Sequence, residues 1–212
     1  MVFVGAVMQS VGVDGIAPNQ LRNAEPLTTL RLSAAELDTA SVLQQLDLQL
    51  SDDADDNGTV QVIVAFDGDH PVTSGQYLPM NEAQAAPSIS VETSATSSDE
   101  RYTYVLIDID APDPKAPTHA PFLHYILAGL TSGKQNEQQV VVVPYYPVTP
   151  PVGEHRYVSL LFRQQEGGDP DAPDADLTAK RTNFDVAGFA KEHNLDLVAT
   201  SIFLSHPAAQ DD

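Results

Sequence analysis

The sequence predicts a mainly β fold, namely an antiparallel β-sandwich with a few short peripheral helices. Short runs rich in β-branched and aromatic residues recur along the chain, Gly and Pro clusters separate them, and few helical patterns lie between them. A parallel sheet would need a crossover helix between successive strands, and the sequence has too few such helices. The strands that we expect, about seven in number, are residues 60–66, 88–93, 102–110, 122–127, 139–146, 157–164 and 198–204.

Two short helices are predicted outside the sheets. The first covers about residues 34–46 and begins at the capping box of Ser33 and Glu36, after which apolar residues follow at helical spacing. The second covers about residues 186–193. The residues expected to mark its ends are the N-cap Asp185, the packed pair Phe184 and Phe189, and a left-handed Asn194.

The composition narrows the class of protein. Thirty acidic residues against ten basic ones give a formal net charge of −20, which repels a nucleic-acid backbone. We therefore expect no nucleic-acid partner, and the same charge favours a monomer. Because the sequence has no cysteine, it excludes disulfides, thiolate nucleophiles and Cys-ligated metals.

The chain is predicted to consist of an N-terminal arm, residues 1–30, and a single domain, residues 31–212. The arm shows no sustained period and contains several Gly and Pro residues. Its first eight residues are apolar, but no basic residue precedes them and the run is too short to cross a membrane. We therefore expect no transmembrane segment and a cytoplasmic location.

Two carboxylates end one predicted strand. The run from Tyr102 is apolar on both faces as far as Asp108 and Asp110, which strand alternation places on one face. At the edge of a core, an unpaired charge is costly. Each carboxylate therefore either accepts nearby loop amides, which is a structural role, or belongs to a site that holds a ligand.

A second polar group begins a later strand. His155 and Tyr157 share one face of that strand, and Arg156 takes the other. His124 lies inside an apolar strand, where a hydrogen-bonded core histidine is more common than a ligand-binding one. If the chain brings these side chains together with the two carboxylates, they form a cradle for one small phosphate or carboxylate.

Two motifs resemble the phosphatidylethanolamine-binding proteins, a family that includes the Raf kinase inhibitor proteins. Residues 108–112, Asp-Ile-Asp-Ala-Pro, are similar to the family's D-P-D-A-P, and residues 150–157, Pro-Pro-Val-Gly-Glu-His-Arg-Tyr, are similar to its P-P-x-G…H-R-Y. His124 lies where the family has its downstream pocket histidine. The similarity covers about residues 60–206, and residues 189–200 look most like the fungal carboxypeptidase Y inhibitor branch.

The resemblance implies a large antiparallel sheet packed on a smaller one, with an anion pocket at one end that accepts phosphate-bearing head groups. The residues that it assigns to the pocket are Asp108, Asp110, Pro112, His124, Pro151, His155 and Tyr157. Arg156 is expected to pair with a carboxylate instead. Ile109 replaces the motif's proline and is expected to loosen that segment, while Val148 and Thr149 stand where the family has small residues.

These features predict a non-enzymatic binding or regulatory protein. Its expected ligand is a phosphate-containing small molecule or a phospholipid head group, and its expected partner is a lipid or a signalling protein. The alternative is an inhibitor of a serine carboxypeptidase that uses the N-terminal arm.

A third hypothesis, an enzyme that uses the two Asp and two His for metal or acid–base chemistry, has no known catalytic motif to support it. We expect no cofactor and no bound metal. Residues 53–58 match the start of an EF-hand loop, but Val64 stands where that loop has its last carboxylate ligand.

Overall fold

The computed structural model describes residues 38–51, 60–68, 70–94, 100–133, 139–168 and 170–207. The predicted N-terminal arm lies outside these residues and stays a prediction. The helices are α1 (Thr39–Gln45), α2 (Ala175–Ala179) and α3 (Val186–Glu192), with a 3-10 helix at Met80–Glu82. The strands are β1 (Val60–Phe66), β2 (His70–Pro71), β3 (Ser88–Thr93), β4 (Tyr102–Asp108), β5 (Phe122–Leu130), β6 (Val140–Val143), β7 (His155–Gln164) and β8 (Leu195–Ser205).

The strands form two sheets whose pairings are antiparallel. The smaller sheet has the order β2–β1–β3, and the larger has the order β6–β5–β4–β7–β8. The predicted class, a mainly β fold with a large sheet and a smaller one, is therefore confirmed. Each predicted strand is present, and the structure adds the two-residue strand β2.

β4 is the central strand of the larger sheet and is buried along its whole length. Val105 and Ile107 belong to a core that includes residues of α1 and α3, whereas Tyr104 and Leu106 belong to a second core shared with the smaller sheet. Because both faces are covered, this strand is apolar on both faces. Asp108 continues the period of Tyr104 and Leu106, which places it at the end of the core between the sheets.

β4 ends at Asp108, two residues earlier than predicted. The Asp108 carboxylate accepts the N–H of Asp110 at 2.8 Å, which turns the chain, and Pro112 has no N–H to donate. Ile109 still donates its N–H to the Arg156 carbonyl at 3.1 Å, and its side chain is fully buried. Ile109 is therefore held by this bond and by the core, and the expectation that it loosens the segment relative to proline stays a prediction.

The first helix begins later than predicted. Asp38 has extended backbone and caps α1, because its carboxylate accepts the Ala40 N–H at 3.2 Å and the Ser41 hydroxyl at 2.8 Å. The predicted start at residue 34 was therefore wrong. The predicted capping box, Ser33 and Glu36, lies outside the described residues.

The second helix is confirmed as α3. The Asp185 carboxylate accepts the Gly188 N–H at 2.8 Å, and the rings of Phe184 and Phe189 lie 5.6 Å apart. Asn194 follows with a φ of 48°, in the left-handed region. In the part of the chain that the structure describes, no helix has the length and apolar character needed to span a membrane.

The core between the sheets is expected to carry much of the stability. Replacing Leu106, which is fully buried there, by alanine should lower the free energy of unfolding by about 2–5 kcal/mol, because it removes apolar contacts and leaves a cavity. Urea unfolding of Leu50→Ala provides the matched control, since Leu50 is 47% exposed and its truncation should cost less than about 0.5 kcal/mol. Equal losses in the two variants would contradict this account of the core.

Candidate anion-binding site

The structure brings the two sequence motifs together at one end of the larger sheet. In the β4–β7 pairing, Asp108 lies opposite Tyr157. The carboxylate of Asp108 meets the imidazole of His155, with Oδ2 and Nδ1 2.7 Å apart. All three side chains are buried. Residues that are 47 positions apart in the sequence therefore form one polar cluster at the end of the core between the sheets.

His155 makes hydrogen bonds through both ring nitrogens. Nδ1 bonds to Asp108, and Nε2 lies 3.0 Å from the Val152 carbonyl. Because a carboxylate and a carbonyl only accept, both nitrogens carry a proton when both bonds are made, so the ring is an imidazolium. Burial lowers the pKa of His155, but the bond to Asp108 and its charge outweigh burial, and the pKa is raised above its ordinary value.

Asp110 does not join this pair. Its Oδ1 accepts Nη2 of Arg156 at 2.7 Å, and its Oδ2 accepts both Nε and the backbone N–H of Arg156 at 2.8 Å. The expected carboxylate partner of Arg156 is therefore Asp110. This bidentate ion pair holds the loop after β4 against the start of β7.

His124 is a buried residue of β5 that is hydrogen-bonded to backbone. Its Nδ1 lies 2.8 Å from the Tyr146 carbonyl, and its ring packs edge-on against Tyr157 with centroids 5.2 Å apart. Burial lowers the pKa of His124 to about 4, against a smaller opposing effect of the Tyr146 carbonyl. His124 is therefore neutral at pH 7, with its proton on Nδ1, and it also forms part of the ring cluster around Tyr157.

Tyr157 lies between the two histidines. Its ring is 6.4 Å from that of His155 and stacks on Phe203 at 5.1 Å. The hydroxyl is buried and has no hydrogen-bond partner among the described residues. Burial, followed by the charge of Asp108, raises the pKa of this phenol, so the hydroxyl keeps its proton. The hydroxyl therefore lies close to the Asp108 carboxylate but makes no hydrogen bond of good geometry within the described residues.

The two prolines that the resemblance assigns to the pocket, Pro112 and Pro151, differ in exposure. Pro112 is half-buried, whereas Pro151 and the next two residues, Val152 and Gly153, are exposed. Gly153 has a φ of 76°, and a Cβ there would lie 3.0 Å from the Pro114 ring, so a glycine suits this turn. The short turn before β7 carries the Val152 carbonyl that bonds His155.

Val148 and Thr149 have different roles. Val148 is fully buried in the core between the sheets, and the Thr149 hydroxyl donates to the Pro147 carbonyl at 3.3 Å. The larger side chain at residue 148 is therefore a core residue. Among the described residues, no group of three or more His, Asp or Glu side chains is arranged to hold a metal ion.

Arg181 and Tyr146 also contribute to this cluster, although no sequence motif indicates them. The guanidinium of Arg181 donates to three backbone carbonyls, those of Leu123, His124 and Pro144, at 2.8–3.2 Å. It also lies 5.6 Å from the centre of the Tyr146 ring. Tyr146 supplies the carbonyl that bonds His124. Arg181 contacts both residues and so helps to hold the His124 ring in place. Its partners are backbone atoms of distant segments, so no local motif in the sequence indicates this role.

The fold and this cluster define an antiparallel β-sandwich protein with a buried carboxylate–imidazole pair at one end of its larger sheet. A family model described as phosphatidylethanolamine-binding protein matches residues 51–203. The chain belongs to this family, as the two motifs indicated.

The chain is also similar in sequence to named proteins, and these similarities are consistent with the family assignment. Over 132 residues the chain is 31% identical to the protein MOTHER of FT and TFL1 homolog 2 of Oryza sativa subsp. japonica, an overlap of 61% of this chain and 72% of the relative. Over 147 residues it is 30% identical to the protein FLOWERING LOCUS T of Arabidopsis thaliana, an overlap of 69% of this chain and 79% of the relative.

Solved structures share the fold. A carboxypeptidase Y inhibitor, crystallised in complex with its cognate proteinase, superposes with a TM-score of 0.62 at 23% identity, covering 85% of this chain and 98% of the inhibitor. The phosphatidylethanolamine-binding protein of Plasmodium vivax also gives a TM-score of 0.62, at 16% identity, covering 82% of this chain and 97% of that protein. At these identities the likeness concerns the fold alone.

Burial of His124 predicts a loss of stability in acid. The folded-state pKa lies below the unfolded one, so its neutral form contributes fully above pH 6.5, and that contribution declines as the pH falls towards 4. Over this window the native chain should lose about 3 kcal/mol more unfolding free energy than His124→Phe. Urea unfolding at several pH values measures the difference, with His119→Gln, at an exposed residue, as the control. Parallel pH profiles for the native chain and His124→Phe would refute the expectation.

Proposed function

We propose that this chain is a non-enzymatic binding protein that takes a phosphate-bearing ligand at the cluster around His155 and Tyr157, and that it acts through the lipid or protein carrying that phosphate. The observation that carries the proposal is the buried Tyr157 hydroxyl, which lies near the Asp108 carboxylate but makes no hydrogen bond of good geometry within the described residues. Buried hydroxyls in native proteins are nearly always satisfied. An anionic oxygen of a ligand would satisfy this one.

His155 supplies the charge for such a ligand. Its Nε2–H is held by the carbonyl of Val152, whose side chain is 49% exposed in the turn before β7. Asp108 holds the other side of the ring and favours its protonated form, so a ligand oxygen can replace the Val152 carbonyl while the ring stays cationic. Charge-assisted hydrogen bonds are roughly twice as strong as neutral ones. The cluster thus offers one charged donor and one neutral donor to a single anion.

The pairing of the carboxylates supports a binding role over catalysis. Asp108 is bonded to His155, and Asp110 is held by Arg156 through both of its oxygens. A general base needs a lone pair that is free to take a proton from a substrate. Both carboxylates are engaged in ion pairs, and both ring nitrogens of His155 bond to acceptors, so none of these groups presents a free lone pair to a substrate.

A second candidate function is inhibition of a serine carboxypeptidase by the N-terminal arm. The sequence features that favour it are the apolar residues 1–8 and the likeness of residues 189–200 to the fungal inhibitor branch. An apolar segment of this kind suits insertion into the cleft of a protease. The two candidates use different parts of the chain and can be tested separately.

The Tyr157 hydroxyl gives the sharpest test of the first candidate. Tyr157→Phe should weaken phosphate binding about 10- to 150-fold, because it removes one hydrogen bond to a charged oxygen, worth about 1.5–3 kcal/mol. It should lower the stability of the unliganded chain by less than about 0.5 kcal/mol, since the hydroxyl makes no hydrogen bond of good geometry there. Calorimetric titration with inorganic phosphate and urea unfolding measure the two quantities.

Tyr104→Phe is the matched control. The Tyr104 hydroxyl is buried and lies 2.9 Å from the Ser159 hydroxyl, so its removal should cost about 1 kcal/mol of stability and leave phosphate binding unchanged. A native chain that binds no phosphate, or a Tyr157→Phe variant that binds it as well as the native chain does, would refute the proposed function.

The second candidate predicts that the full chain inhibits a serine carboxypeptidase and that Phe3→Asp weakens the inhibition at least tenfold, because a charge is introduced into the apolar run. Gln20→Glu adds the same charge elsewhere in the arm and should leave inhibition unchanged. Peptide hydrolysis by the protease, measured with increasing amounts of each chain, decides the matter. Absence of inhibition by the native chain would remove this candidate and leave the phosphate site untouched.

A further inference from the structure

An exposed aromatic pair lies beside β8, the outermost strand of the larger sheet. Tyr77 is 38% exposed, and its ring stacks on that of His206, with centroids 4.4 Å apart and planes inclined by 22°. One face of the Tyr77 ring is therefore covered by His206. Because much of the side chain is still in contact with solvent, a partner can reach the rest of the ring.

The backbone around Tyr77 is fixed to β8. The N–H of Leu78 donates to the Leu204 carbonyl at 2.8 Å, and the N–H of Leu204 donates to the Gln76 carbonyl at 2.9 Å. Tyr77 therefore lies between two residues that are bonded to this strand. The Ser205 hydroxyl adds a further bond, to the Leu78 carbonyl at 2.8 Å. An exposed ring on a fixed backbone loses little conformational entropy on binding, which favours tyrosine at protein interfaces.

Two carboxylates adjoin this pair. The antiparallel pairing of β7 with β8 brings Glu154, which precedes β7, close to His206, which follows β8. Burial raises the pKa of the Tyr77 phenol, and the charges of Glu154 and Glu82 raise it further, because both disfavour another negative charge nearby. The surroundings of the ring are therefore negatively charged.

A second exposed tyrosine shows what such a ring binds in this protein. Tyr146 is 46% exposed, and the guanidinium of Arg181 lies 5.6 Å from the centre of its ring. Cations are attracted to the face of an aromatic ring, and arginine is the more frequent partner. Among the described residues, no Arg or Lys lies over the ring of Tyr77 in this way. Tyr77 thus combines an aromatic surface and negative neighbours, and the described part of the chain supplies no cation for it.

We propose that Tyr77 and His206 form a docking site for an arginine side chain of a basic partner protein, in which the guanidinium lies over the Tyr77 ring. The carboxylates of Glu82 and Glu154 supply the opposite charge. The formal net charge of −20 favours the approach of a basic partner. Arginine suits the site better than lysine, because its planar guanidinium stacks on aromatic rings and is more weakly hydrated than an ammonium. The docking site uses none of the side chains proposed to bind phosphate, so the two proposals are independent.

NMR titration of the full chain with small matched probes tests this. The probes are N-acetyl-arginine amide, N-acetyl-lysine amide, which has the same charge, and N-acetyl-citrulline amide, which replaces the guanidinium by a neutral urea group. Far below saturation, the shift of a ring resonance is proportional to affinity. The rings of Tyr77 and His206 should shift about 2- to 5-fold more with the arginine probe than with the citrulline probe, and more than with the lysine probe. The ring of Tyr146, which already has a guanidinium, is the internal control and should not shift.

Variants of Tyr77 and Glu82 separate the ring from its surroundings, with the His206 ring as the reporter. Tyr77→Leu should remove the difference between the arginine and citrulline probes, whereas Tyr77→Phe should retain it, because only the hydroxyl is lost. Glu82→Gln should weaken the response to the arginine probe. Glu192→Gln removes the same charge from an exposed residue at the end of α3 and should leave the response unchanged. The comparison of probes on the native chain stands even if Tyr77→Leu does not fold.

Several outcomes would overturn this inference. One is an equal response to the arginine and citrulline probes, or no shift of either ring. Another is an equal shift of Tyr146 and Tyr77, because the probe would then associate with the acidic surface as a whole. A fourth probe, tetramethylammonium, represents a lipid head group, and a larger response to it than to the arginine probe would also overturn the assignment to a protein partner. None of these outcomes affects phosphate binding, which calorimetry with inorganic phosphate measures separately.

Discussion

The contact between Asp108 and His155 is the constraint on which the candidate site depends. It requires β4 and β7 to pair in one register, in which Asp108 lies opposite Tyr157. A shift of one residue would turn every side chain of one strand to the other face of the sheet. The apolar residues that alternate along β4 into two separate cores prevent such a shift, because both sets would be misplaced at once. The packing of the cores thus fixes the chemistry at the strand end.

A large part of this arrangement could be predicted from the sequence. Strand alternation places His155 and Tyr157 on one face and Arg156 on the other, and β4 begins where the pattern of β-branched and aromatic residues begins. The helix caps of α3 were also predictable, since Asp185, Phe184 and Asn194 act within one short segment. Strand alternation and helix capping both depend on residues that are close together in the sequence, so both can be predicted directly from it.

Other features could not be predicted from the sequence. The end of β4 at Asp108 depends on a side chain that bonds the amide two residues further on, which competes with continuation of the strand. The start of α1 was misplaced because the cap is Asp38, whose carboxylate accepts the Ala40 N–H, and not the predicted capping box. Arg181 was missed because its acceptors are backbone carbonyls, which every residue has. His124 was expected to be either a hydrogen-bonded core residue or a ligand-binding one, and the structure shows a buried ring that is hydrogen-bonded to backbone.

The burial of β4 on both faces has a consequence for the motions of the site. A strand with hydrogen-bonded neighbours on both sides and apolar layers above and below opens only when the whole domain unfolds. Its amides should therefore be among the last to exchange their hydrogens with deuterated solvent. Asp108, at the end of this strand, shares that rigidity, whereas Val152 lies in an exposed turn. One side of the His155 ring thus contacts Asp108 at the end of a rigid strand, and the other contacts the Val152 carbonyl in an exposed turn. A bound ligand would replace only the Val152 carbonyl.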